Sequence, residues 1–295
     1  MRVLLTGASG QIGTALREDR PEDIQLAAFS RTELDITDDR TVEKTVAEFR
    51  PDVVINAAAY TAVDRAEDEP ELAAAVNMRG AANLARAASH TPGCRLLHIS
   101  TDYVFDGRAL GAYRPDDVPN PLNVYGRTKL AGEAAVHEQL GKRCVVLRTA
   151  WVYAATGKNF LLTMLRLMRE RGAVRVVADQ RGTPTAASSV STALWGIARR
   201  ADIHGIVHWT DAGTDTWWGF ASAIAQDAHA AGLLTLLPQV TPIATAEFPT
   251  RARRPANSML DTSLTVKLLG YAPAPWRVNL RASLTAIAEA DRKQA

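Results

Sequence analysis

The sequence predicts an α/β chain, a doubly wound parallel sheet with a smaller lobe built from its later segments, and three observations carry that expectation. Short β-branched runs alternate with stretches of helical periodicity, the pattern of βαβ units. Several of those runs are apolar at consecutive positions, as in Val53-Val54-Ile55, which suits strands covered on both faces. The length of 295 residues is right for one large α/β domain or a core unit with a small lobe, and it is enough to bury a substantial core.

In chain order, strands are expected over residues 3–6, 24–29, 53–57, 95–100, 144–149, 174–178 and 205–209, each a short run rich in Val, Ile or Leu. Helices are expected between them, over 12–17, 41–49, 72–89, 124–140, 159–171, 190–200 and 218–231, where apolar residues recur at helical spacing. The rhythm changes near Leu233: Pro238, Pro242, Pro249 and Pro255 punctuate short polar turns before a last helix over 280–290. Residues 1–153 and 173–232 are therefore assigned to the core unit, and 154–172 with 233–295 to the lobe. That lobe is expected over the C-terminal ends of the strands, the edge at which open α/β sheets bind ligands.

Composition narrows the function classes. The hydrophobic fraction of 47% and the charged fraction of 22% are ordinary for a globular protein. A net charge of +2, from 34 basic and 32 acidic residues, argues against a dedicated nucleic-acid binder while allowing a local basic pocket for an anion. Cys94 and Cys144 stand alone at the mouths of apolar runs, so neither a disulfide nor a metal knuckle is expected. No apolar run approaches the roughly 18 residues of a membrane span, and the N-terminus reads as a strand rather than a secretory signal, so the chain is expected in the cytoplasm with no membrane partner.

The first strand runs into Thr6-Gly7-Ala8-Ser9-Gly10-Gln11-Ile12-Gly13 and then a helix. Gly7, Gly10 and Gly13 permit a tight turn, a close approach of backbone to a pyrophosphate, and close helix–strand packing. The helix N-terminus adds free N–H groups and a positive dipole end. In that position the triplet is a dinucleotide-binding turn, and the sheet is Rossmann-type. The second strand ends Phe29-Ser30-Arg31 with no carboxylate for the ribose hydroxyls. A small hydroxyl followed by Arg suits a 2′-phosphate, so NADPH is expected, with NADH as the alternative.

Tyr125 and Lys129 stand four apart in a helical stretch and share a face. A phenol with an ordinary pKa of about 10 is a weak acid–base group near neutrality, and a neighbouring ammonium favours its ionised form. Ser100 and Thr101 end the fourth strand, where a hydroxyl can hold a substrate carbonyl beside Tyr125. One of the two is free simply to terminate the strand.

Together these residues resemble the extended short-chain dehydrogenase/reductases and, more narrowly, the dTDP-4-dehydrorhamnose reductases. The narrower likeness rests on Leu34-Asp35-Ile36-Thr37-Asp38, Asn56-Ala57-Ala58-Ala59-Tyr60, Ser100-Thr101-Asp102-Tyr103-Val104-Phe105, Arg148-Thr149-Ala150-Trp151, Asp179-Gln180-Arg181-Gly182 and Arg253-Arg254-Pro255. The resemblance implies a catalytic triad of Thr101, Tyr125 and Lys129 and a pyrophosphate turn that includes Gln11 and Ile12. It further implies an adenine contact at Asp35 and Ile36, and a cofactor cleft lined by Ala57, Ala58, Ala59 and Tyr60. On the substrate side it implies Ser100, Asp102, Val104, Trp151 and Asn159, with Arg254 toward a nucleotide diphosphate.

The implied reaction is NAD(P)H-dependent reduction of a dTDP-4-keto-6-deoxyhexose, giving dTDP-L-rhamnose. A ketoreductase for another dTDP-deoxysugar and a non-catalytic regulatory subunit of the same fold are the alternatives. Some relatives dimerise through a metal held by a carboxylate on the first helix; that position is Ala15 here, so a monomer or a weak homodimer without a bridging metal is expected.

Other features are set aside. His204 and His208 lie on a strand, about 13 Å apart, too far to share a metal. The acidic run from Asp64 to Glu69 reads as a solvated helix entry. Trp217 and Trp218 read as core and rim packing. Neither a GxSxG elbow nor a GxxxxGK[ST] loop occurs, which removes support for a serine hydrolase or a P-loop NTPase.

Overall fold

The structure, a computed structural model, describes residues 1–294. Its strands are β1 (Arg2–Thr6), β2 (Gln25–Phe29), β3 (Val53–Asn56), β4 (Arg95–Thr101), β5 (Cys144–Thr149) and β6 (Val152–Tyr153). They continue as β7 (Ala173–Val177), β8 (Arg181–Gly182), β9 (Thr185–Ala186), β10 (Gly205–His208), β11 (Asp215–Thr216) and β12 (Gln239–Ile243). The helices are α1 (Gln11–Glu18), α2 (Asp39–Phe49), α3 (Val63–Ala66), α4 (Pro70–Ala74), α5 (Ala81–His90) and α6 (Val124–Leu140). After them come α7 (Phe160–Arg171), α8 (Ala187–Ala198), α9 (Trp217–Ala230), α10 (Ser263–Leu269) and α11 (Trp276–Gln294).

Six strands pair in parallel in the order β10-β5-β4-β3-β1-β2. The strand order reverses beside β1, so the switch point faces the turn that follows it. Successive side chains of one strand point to opposite faces. Leu5 and Ile55 enter a core with Leu16 of α1 and Leu194 of α8, whereas Leu4 and Val54 enter another with Val42 of α2 and Leu84 of α5. Both faces are thus covered, which is why these strands read as continuous apolar runs, and each fully buried Leu contributes about 2 kcal/mol.

Two expectations are corrected. The run expected as a strand over 174–178 forms β7 but does not join the main sheet; it pairs in parallel with β12. Its exposed Ala173 and Arg175 alternate with buried Val174 and Val176, the pattern of a strand with one covered face. Likewise α9 packs against the lobe: Phe220 and Ile224 share a core with Leu161 and Leu165 of α7 and Leu280 of α11. The residues of β7 and α9 therefore contribute to the lobe's core rather than to the sheet's. The helix expected over 72–89 exists, but a π-helical stretch, Ala75–Gly80, joins α4 to α5. There the Asn77 amide turns out of the helix to hold both backbone groups of Tyr60, at 2.8 and 3.1 Å.

Candidate functional site

Above the C-terminal ends of β1, β3 and β4 lies a cavity of about 420 Å³. Its floor is the glycine turn. Gly7 has φ +71°, and a Cβ there would lie 2.5 Å from the Ala57 carbonyl carbon, so the turn and the end of β3 approach to backbone contact. Gln11 and Ile12 open α1 onto this space, with Ala57 and Ala59 opposite. Any larger residue at Gly7 would force the turn away from the end of β3, and the α1 N-terminus faces the cavity, a geometry that fits a dinucleotide pyrophosphate.

The far wall is α6, whose start is fixed in three ways. Asn123 caps it by accepting from the Gly126 N–H at 2.8 Å, and Glu67 accepts from the Val124 N–H at 2.7 Å. Gly126 admits the Tyr103 carbonyl, which would lie 2.1 Å from a Cβ. Deeper in the helix, Glu133 takes a bidentate pair from Arg148 of β5, at 3.0 and 2.6 Å, with both side chains nearly inaccessible. Ser100 also donates its hydroxyl to Glu133. These contacts pin α6 to β4 and β5 and set the height of Tyr125 and Lys129.

Tyr125, Lys129, Thr101, Ser100, Asp102 and Trp151 all line this cavity, together with Gly10. Burial raises the Tyr125 phenol to about 12; a hydrogen bond with Thr101 pulls it down and the Asp102 charge pushes it up. Thr101 donates to Asp102 at 2.9 Å, and burial lifts that carboxyl to about 6. Lys129 is not held against the phenol. Its amine donates to the Ile99 carbonyl at 2.6 Å, and burial lowers it to about 8. The sequence suggested an ammonium lowering the Tyr125 phenol; in the structure burial acts the other way and favours the protonated form that a proton donor needs. Of the two hydroxyls, Ser100 braces Glu133 and Thr101 lies beside Tyr125 on the cavity wall, donating to Asp102.

Several residues stand elsewhere. Ser30 and Arg31 follow β2, with Arg31 exposed. Asp35 accepts from the backbone N–H and hydroxyl of Thr37 at 2.9 and 2.8 Å. Three further residues are engaged within the protein. Ile36 is a core residue wedged against Gly80, and Asn83 occupies its carbonyl at 3.0 Å. Val104 is fully buried beside Phe105 and Tyr113. Asn159 spends its amide capping α7 and bracing the Ala154 and Thr156 carbonyls. Ala58 donates its N–H to the Asn56 amide, and Tyr60 its hydroxyl to Glu69. The acidic run stays partly exposed, as expected of a helix entry, but it is also used: Asp64 holds Arg254 at 2.7 Å and Asp68 pairs with Arg251.

A second cavity, of about 350 Å³, was not anticipated. Tyr103, Phe160, Gln180, Trp217, Arg175 and Arg254 line it, drawn from the lobe and the strand-end loops. Two aromatic contacts separate it from the first cavity. Trp151 stacks on Trp217 with centroids 3.5 Å apart, and Tyr103 meets Tyr125 edge-on at 5.8 Å. Trp151 has φ +47°, an outlier for a bulky residue of the kind found at ligand sites. Trp217, read as packing from the sequence, is therefore also a wall of the site. Among the described residues no group of three His, Cys, Asp or Glu could hold a metal.

The chain matches the family model described as RmlD substrate binding domain over residues 1–289. It is 41% identical over 287 residues to a dTDP-4-dehydrorhamnose reductase of Aggregatibacter actinomycetemcomitans, covering 95% of this chain and 97% of that protein. A Streptomyces antibioticus protein described as a probable dTDP-4,6-dihydroxy-2-methyloxan-3-one 4-ketoreductase is 39% identical over 294 residues, covering 99% of this chain and 97% of its own length. Among solved structures, dTDP-4-dehydrorhamnose reductase from Bacillus anthracis in complex with NADP superposes with a TM-score of 0.90 at 36% identity, covering 97% of this chain and 99% of that one.

Proposed function

This chain belongs to the RmlD substrate-binding-domain family, that of the dTDP-4-dehydrorhamnose reductases, and from that premise we infer that it reduces the 4-keto group of dTDP-4-dehydro-6-deoxy-L-mannose to dTDP-L-rhamnose with NADPH. The observation that carries the reading is the convergence of Thr101, Tyr125 and Lys129 on one cavity whose floor is the glycine turn. NADPH, when bound, supplies the hydride to the carbonyl carbon. Gly7, Gly10, Gln11, Ile12 and Gly13 hold its pyrophosphate, Ala57 and Ala59 line its cleft, and exposed Arg31 with Ser30 receives the 2′-phosphate.

The chain's own contribution is proton management and positioning. The neutral Tyr125 phenol donates its proton to the carbonyl oxygen as charge develops there. Thr101, anchored through its hydrogen bond to Asp102, lines the cavity beside Tyr125 and orients the bound sugar there. The sugar occupies the first cavity against Trp151, and the nucleotide half crosses the aromatic wall into the second, where Arg175 and Arg254 meet the diphosphate. Retention of the phenol, the hydroxyl and the amine supports turnover over a purely regulatory role.

The test is to incubate the purified protein with dTDP-4-keto-6-deoxysugars and NADPH or NADH and identify the product by NMR. Formation of dTDP-L-rhamnose with faster NADPH oxidation is expected. No cofactor oxidation with any such sugar would overturn the reading in favour of the regulatory subunit. The Streptomyces relative favours one second reading, a ketoreductase for a different dTDP-deoxysugar, and the same NMR assay separates the two. The reading also has the chain acting in the cytoplasm as a monomer or weak homodimer without a bridging metal. Its supports are Ala15 on α1 and the lack, among the described residues, of a helix long and apolar enough to cross a membrane.

A further inference from the structure

A row of buried polar side chains crosses the middle of the sheet. Thr6 on β1, Asn56 on β3 and His98 on β4 are register neighbours, and Lys129 of α6 closes the row. None is more than 2% exposed. Thr6 donates to the Asn56 Oδ1 at 2.8 Å, Asn56 Nδ2 lies 3.0 Å from His98 Nδ1, and His98 Nε2 lies 3.4 Å from the Lys129 Nζ.

Donor bookkeeping fixes the protons. The backbone N–H of Ala58 donates to Asn56 Oδ1 at 3.1 Å, so the other end of that amide is its NH₂ group. The NH₂ group donates to His98 Nδ1, which must then be bare. A neutral imidazole with a bare Nδ1 carries its hydrogen on Nε2, and that hydrogen faces Lys129. An ammonium cannot accept it; a neutral amine can, through its lone pair, while still donating to the Ile99 carbonyl at 2.6 Å.

We propose that His98, locked by Asn56 as the Nε2–H tautomer, is a positioning residue that holds the Lys129 amine at the Ile99 carbonyl with its lone pair toward the ring. The row begins one residue before Gly7 and passes the Asn56 end of the cofactor cleft, so the cradle and the Lys129 amine share one set of hydrogen bonds. Other ionisable groups near Lys129 are accounted for. Glu133, one turn on along α6, is paired with Arg148 of β5; Tyr125 and Asp102 face the same cavity, and Lys158 lines its far side. Burial lowers both the His98 ring and the Lys129 amine, the latter to about 8, so the amine can shed its proton close to neutrality.

The proposal deepens the ketoreductase reading in that it takes Lys129 as catalytic, but its first test needs no turnover. Long-range ¹H–¹⁵N spectra of the histidine-labelled full chain should give His98 with a protonated Nε2 and a bare Nδ1 from pH 6 to 9. A protonated Nδ1 overturns the proposal, whereas a protein that reduces no sugar overturns only the reading. The second test uses His98→Gln, which keeps an acceptor for Asn56 and a donor for Lys129, and His98→Leu, which keeps neither. Without the opposing N–H, the ammonium persists to higher pH. The limb of the pH–rate profile that follows Lys129 should move up by about one unit in the Leu variant and stay at its native position in the Gln variant. A native limb in the Leu variant, or an equal displacement in both, overturns the proposal; if the Leu variant does not fold, the tautomer spectrum decides.

Discussion

The two cavities are built by different means. The first rests on the ends of β1, β3, β4 and β5, strands locked in register along their whole length, and its working groups are polar, buried and hydrogen-bonded. The second rests on α7, α9 and the short β7–β12 pair, and its walls are aromatic side chains with arginines among them. Bond making needs atoms held within tenths of an ångström, which a buried parallel sheet supplies. Gripping a flat base and a diphosphate needs area and charge, which a lobe with its own core supplies without disturbing the sheet. Chemistry and recognition are thus divided along the aromatic wall of Trp151 with Trp217 and Tyr103 with Tyr125.

The division can be broken most severely from the chemical side. Tyr125→Phe removes the donated proton and should cut kcat by about 10³-fold while NADPH affinity, followed by fluorescence titration, is unchanged. Glu133→Gln strips the buried Arg148 of its charge partner, and a loss of about 3 kcal/mol in denaturant unfolding is expected. Its activity should fall in step with the displaced α6. Trp217→Ala opens the second cavity and should raise the sugar-nucleotide KM roughly 30-fold with kcat nearly unaltered, the mark of lost binding shared by ground and transition states. An equal fall in kcat would mean that the wall is part of the chemistry.

The smallest effect is in pH. Asp102 is charged above about 6 and then accepts the Thr101 hydrogen; as pH falls through that value the carboxyl protonates and the charge that strengthens this bond is lost. The kcat/KM profile should therefore fall on its acid side near pH 6, and Asp102→Asn should remove that limb while lowering the plateau. An unchanged limb in the Asn variant would assign it to another group.

Much of the first cavity was legible because its signals are local. The glycine turn occupies eight consecutive positions after a strand, Tyr125 and Lys129 are one helical turn apart, and Thr101 ends a strand. Side-chain direction was not legible. Ile36 and Val104 lie within motifs that match the family, yet both face the core, and Asn159, expected on the substrate side, caps a helix. The second cavity was missed because Tyr103, Phe160, Gln180, Trp217 and Arg254 come from five separated segments with no common spacing. The alternation of Val174 and Val176 with exposed neighbours was the one local sign that β7 lay outside the main sheet.

The amino-acid order alone determined the parallel sheet, the phosphate cradle and the pairing of a phenol with an amine, since each depends on neighbours within a turn or a strand. Only the tertiary structure decided which hydroxyl braces Glu133, where the Lys129 amine points and how the aromatic wall divides the site. Those outcomes depend on contacts between residues tens to hundreds of positions apart, and on burial that changes what a phenol, an amine and a carboxyl can do with a proton.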